Sequence, residues 1–88
     1  MSYEINGAIV KEQDLTFAVV AVKPHIFEND KEIQKARNAY RHVFPGIPII
    51  LMSQDSQGRA TYSGKKNIVQ FLATVDPRRI PWRRFIIS

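Results

Sequence analysis

Residues 15–23 (LTFAVVAVK) are apolar at both odd and even positions. Successive side chains of a strand point to opposite faces, so a strand with this pattern must be covered on both sides. Residues 47–53 (IPIILMS) repeat it. Two such buried strands in 88 residues call for a sheet whose strands are covered on both faces. Composition points the same way. Ile and Val together supply 18 residues and Leu only 3, and branching at Cβ suits a pleated surface better than a helix. At 44% apolar the chain is a single globular domain, too short for a second core and too apolar for disorder. A domain of this size buries only a little over half of its unfolded surface, so it folds alone with a thin margin.

The covering helices are visible in the periodicity. Ile33, Ala36, Tyr40, Val43 and Phe44 form one apolar stripe. Asn29 is placed to cap its start, with Glu32 three residues on, and Pro45-Gly46 to stop it. Lys31, Lys35, Arg37, Asn38 and Arg41 fall mostly off the stripe. Ile68, Phe71, Leu72 and Val75 predict a second helix over 64–75, ended by Asp76-Pro77. Residues 3–12 read as extended, and Asn6-Gly7, a favoured type I′ pair, predicts that they fold back as a small hairpin. Gln13-Asp14 is a second turn candidate, residues 54–58 a hairpin loop, 59–63 its returning strand and 82–87 a last strand. The expected fold is α/β (α+β): two helices on a mixed sheet of four or five strands, in the order ββαββαβ.

Several function classes drop out. With no Cys there is no disulfide, thiolate metal site or cysteine nucleophile. The longest unbroken apolar run, Phe17 to Val22, is six residues, far short of a membrane span. The N-terminus carries neither the basic nor the apolar region of a secretory signal, so a cytoplasmic location is expected. His25 and His42 stand in no metal-ligand spacing, and no cofactor is expected. Ser and acidic residues form no nucleophile elbow or carboxylate pair. Asp14, Glu28, Asp30, Asp55 and Asp76 sit at turns and helix ends, where short acids belong without catalysis. Tyr40 and Tyr62 read as packing residues, and the chain does not read as an enzyme.

Gly46-Ile47-Pro48, an apolar strand, a hairpin through Gly58, and Gly64 opening a helix that carries Phe71-Leu72 form a recognisable series. On these features residues 39–75 resemble the C-terminal half of thioredoxin-like domains. The resemblance implies a cis Ile47–Pro48 bond facing the place where that family keeps its redox cysteines. This chain has none, and no nucleophile-bearing helix precedes Leu15, so it would be a non-redox relative.

Charge is what remains. The chain carries 13 Lys+Arg against 8 Asp+Glu, a net +5. The first 30 residues hold two basic and five acidic side chains (−3), and residues 31–88 hold eleven and three (+8). Such asymmetry suits an anionic partner, or two halves that neutralise each other across the fold. Residues 76–85 (DPRRIPWRRF) are the densest stretch: Arg78, Arg79, Arg83 and Arg84 flank Trp82. Guanidinium groups neutralise phosphates and an indole stacks on unpaired bases, which suits single-stranded nucleic acid. The alternative is an edge strand protected by Arg, with Trp82 on the core; alternation then places Trp82, Arg84 and Ile86 on one face and Arg83, Phe85 and Ile87 on the other.

Lys65 and Lys66 at the start of the second helix oppose its dipole, as they would if an anion sat there or if they were simply solvated. They are not part of a P-loop: Gly58 lies six residues before Gly64 instead of five, and Lys66 stands where Ser or Thr should hold Mg²⁺. The expected function is a non-catalytic basic module contacting nucleic acid or another polyanion through Arg78, Arg79, Trp82, Arg83 and Arg84, with Lys65 and Lys66. The alternatives are a thioredoxin-like protein-interaction module, a homodimer joined through exposed strands, or an enzyme acting on a phosphorylated small molecule at Gly64-Lys65-Lys66.

Overall fold

The two apolar runs lie side by side at the centre of a five-stranded mixed sheet. The computed structural model describes residues 3–12 and 14–87. β2 (Leu15–Ala21) and β3 (Ile49–Gln54) are parallel, from Ala18 opposite Ile49 to Ala21 opposite Met52. A parallel pair needs a crossover, supplied by a short 3₁₀ turn at Pro24–Glu28 and helix α1 (Asp30–Ala39). β1 (Tyr3–Glu12) flanks β2 antiparallel, β4 (Ala60–Ser63) flanks β3, and β5 (Arg83–Ile87) returns past helix α2 (Lys66–Leu72) to pair with β1. The strand order is β4-β3-β2-β1-β5, and the chain order ββαββαβ is the expected one.

Alternation divides the apolar residues between two cores. Phe17, Val19, Ile50 and Met52 point to the face covered by Ile68 and Leu72 of α2 and by Ile80. Ala18, Val20, Ile49 and Leu51 point to the other, under Ile33 and Ala36 of α1, followed by Tyr40, Val43 and Phe44. The Asn29 side chain caps α1 by accepting from the Lys31 N–H at 2.8 Å. The helix ends at Ala39, earlier than the stripe, but the Val43 and Phe44 N–H groups both donate to the Tyr40 carbonyl at 3.1 Å. Those turns keep both side chains on the core. Among the described residues no helix is long and apolar enough to cross a membrane.

Three expectations are corrected. Asn6-Gly7 is no turn: β1 runs unbroken through it, with Asn6 opposite Arg84 and Gly7 between Val20 and Arg83. Gly7 serves close approach instead. A Cβ there would lie 3.2 Å from the Val19 carbonyl oxygen and 3.4 and 3.5 Å from the rings of Phe44 and Phe85, which meet edge to face above it with centroids 5.1 Å apart. Among the described residues every peptide bond, Ile47–Pro48 included, is trans, against the cis bond implied by the thioredoxin-like resemblance. The second helix is shorter than its periodicity, since Ala73 to Val75 continue as turns and Pro77–Arg79 forms a second 3₁₀ turn. The β1–β2 turn falls where Gln13-Asp14 is expected; Asp14 is a turn residue, and Gln13 lies outside the described residues.

Candidate anion site

Pairing of β4 with β3 stops at Ser63 opposite Leu51, two residues short of the start of β3. The Ile49 carbonyl therefore extends past the end of β4, and a side chain must complete its hydrogen bonding. Arg37 does so. Its Nε donates to the Ile49 carbonyl at 3.2 Å, and its Nη2 donates to the Ser63 carbonyl at 3.0 Å and to Ser63 Oγ at 3.1 Å. One guanidinium thus ties α1 to the ends of two strands.

One helical turn on, Arg41 lies on the same side of the chain, its Nε donating to Asn38 Oδ1 at 2.9 Å. Past β4 the chain crosses closely over β3 at Gly64, where a Cβ would run into Ile50 Cδ1, and this brings Lys65 toward the same place. Arg37, Arg41 and Lys65 line a cavity of about 600 Å³, together with Gln34, residues 46–49 and Ser63. No carboxylate lines it, and among the described residues none of the three cations has a carboxylate partner. Burial, and after it the charge of Arg41, pulls the Arg37 guanidinium below its ordinary value. An arginine stays protonated nonetheless. Two hydrogen-bonded guanidinium groups and the Lys65 ammonium line a partly desolvated space that an anion would neutralise.

The expected site residues are dispersed. Lys65 lines the cavity, while Lys66 begins α2 and is exposed. Arg78 is bound to Asp76, Nη2 to Oδ2 at 2.8 Å, and this contact holds the Asp76 carboxyl at about 2 and raises Arg78. Arg79 is exposed. Trp82 is half-buried against the α2-side core, its indole N–H donating to the Pro77 carbonyl at 2.9 Å. Arg83 and Arg84 are exposed and point to opposite faces, Arg84 Nη1 lying 3.8 Å from Glu4 Oε1. Alternation along 82–87 is as expected, with Phe85 and Ile87 on the α1-side core. β4 and β5 occupy opposite edges of the sheet, four strand spacings or roughly 19 Å apart. Lys65 consequently joins Arg37 and Arg41 and not the C-terminal arginines.

Sequence reasoning placed Arg37 and Arg41 mostly off the apolar stripe and gave them no role. A usable signal was present: two arginines four apart, the first beside stripe residue Ala36, in the last turns before a Pro-Gly stop. No protein family model, curated protein or solved structure matches the chain.

Proposed function

We propose that this domain is a small non-catalytic binding module that receives a polyanion, foremost single-stranded nucleic acid, on its basic surface. The observation that carries the reading is the cavity lined by Arg37, Arg41 and Lys65 without a carboxylate. Phosphate is the anion that three such donors suit best. Arg79 and Arg83 are both exposed and add positive charge elsewhere on the surface, Arg83 on the opposite edge strand. Trp82, half-buried and held by its bond to Pro77, is the stacking candidate of the C-terminal segment.

The test is the binding of labelled single-stranded RNA, single-stranded DNA and duplex DNA, followed by anisotropy, with Trp82 emission as a stacking probe. One phosphate neutralised in the cavity gives a log–log salt slope of about −0.7 on a single strand, so raising salt from about 50 to about 200 mM should weaken binding roughly two- to threefold. No binding to any of the three by a folded protein would refute the reading.

A second reading rests on a separate observation. Among the described residues the outer edge of β5 has no partner strand, and Ile86 in this strand is 70% exposed. Such an edge is a template for another strand, so the domain would be an interaction module or a homodimer. A light-scattering mass of twice 10.1 kDa that Ile86→Lys returns to the monomer value is the expected result. A monomer at every concentration would exclude the dimer.

A further inference from the structure

The same cavity has features that select among phosphates, a selection that rests on the anion reading above. Arg37 is immobilised by three hydrogen bonds to the ends of β3 and β4, so its remaining Nη1 is presented in a set direction. Ser63 Oγ accepts from Arg37, which leaves the hydroxyl hydrogen free to donate to a ligand. Arg41 has only its Nε engaged, with Asn38, and Lys65 brings a mobile ammonium. Four independent donor groups, three of them charged, therefore surround one space.

An internal phosphodiester carries a single negative charge and two non-bridging oxygens, too few for that set. A phosphomonoester near pH 7 carries between one and a half and two charges, about −1.5 to −2, on three strong acceptor oxygens. The space is also larger than a phosphate requires. Its 600 Å³ falls within the usual range of small-molecule sites, about 300–1,000 Å³. Ile47 and Pro48, both half-buried, form an apolar wall beside the cations, where an organic body can lie.

We infer that the cavity between α1 and the ends of β3 and β4 seats a phosphomonoester, either the terminal phosphate of a nucleic-acid strand or a free mononucleotide, in preference to an internal phosphodiester. The experiment compares 12-nucleotide single strands with an internal dye that bear a 5′-phosphate, a 3′-phosphate or hydroxyls at both ends. A nucleoside monophosphate and the bare nucleoside serve as competitors. One phosphorylated strand should bind about tenfold more tightly than the hydroxyl strand, the gain of one further charge-assisted hydrogen bond. The monophosphate, and not the nucleoside, should displace it. Arg41→Gln should abolish the end preference and Arg41→Lys retain part of it, both with an unchanged thermal melt, because Arg41 is exposed.

Strands that bind equally whatever their ends would overturn this inference and leave the nucleic-acid reading standing. A monophosphate that binds while no strand does would support the site and overturn the nucleic-acid reading. No binding of strands or of monophosphate would overturn both.

Discussion

Replacing Phe44 by alanine is expected to lower the unfolding free energy by about 3–5 kcal/mol, the usual cost of a large aromatic removed from a core. Phe44 is 2% exposed and meets Phe85 edge to face, a contact worth about 0.5–1.5 kcal/mol beyond burial. The space left behind cannot be filled from below, since the residue there is Gly7. Filling it from the side would require the Phe85 ring to leave its place over Gly7. For a small domain whose total stability lies between about 5 and 15 kcal/mol, such a loss is between about a fifth and the whole. The melting temperature should fall by on the order of 20 °C. Phe44→Leu, which keeps most of the apolar volume, should recover more than half of the loss. Urea and thermal unfolding measure both variants. A Phe44→Ala protein within about 1 kcal/mol of the parent would mean that the ring does not close the α1-side core as described.

The second large effect concerns binding. Neutralising Arg41 and Lys65 together by glutamine should weaken the interaction with phosphate-bearing single strands about a hundredfold, roughly 1.4 kcal/mol for each charge-assisted hydrogen bond removed. It should also flatten the log–log salt slope by about 0.7, the contribution of one phosphate neutralised on a single strand, since both side chains line the same cavity. Both side chains are exposed and neither is in an ion pair among the described residues. Stability should therefore stay within about 0.5 kcal/mol. Arg37 is unsuited to this test because its removal would also strip hydrogen bonds from the ends of β3 and β4. The companion variant neutralises Arg83 and Arg84. These point to opposite faces of the sheet and Arg84 already faces Glu4, so a smaller loss is expected. The reverse ranking would move the anion site to the C-terminal segment.

The two variants also separate what a linear reading can detect from what it cannot. Phe44 belongs to the stripe Ile33, Ala36, Tyr40, Val43 and Phe44, and all five pack on the α1-side core. Periodicity reports burial directly, because the side chains that share a helix face are a set number of residues apart. Gly7 was misread for a complementary reason. Glycine is chosen both where the backbone must turn and where another group must come close, and local sequence cannot separate the two. Only the arrival of Phe44 from the turns after α1 and Phe85 from β5, 37 and 78 residues away along the chain, shows which applies.

The same contrast governs the charges. Clustering along the chain suggested Arg78, Arg79, Arg83 and Arg84 as one patch, yet alternation turns adjacent strand residues to opposite faces, and Asp76 and Glu4 lie beside two of the four. Arg37, Arg41 and Lys65 are scattered in sequence and gathered in space. The gathering follows from where β4 stops: a shorter partner strand leaves the Ile49 carbonyl open, and Arg37 is held by it.

From the sequence alone came the elements, their order and the need to cover the central strands on both faces, because each is a matter of side chains within a few residues of one another. The trans Ile47–Pro48 bond, the use of Gly7 and the choice of arginines that meet in a cavity were decided by tertiary structure. These depend on which strand ends meet, and the pairing of distant strands is set by the packing of the whole sheet.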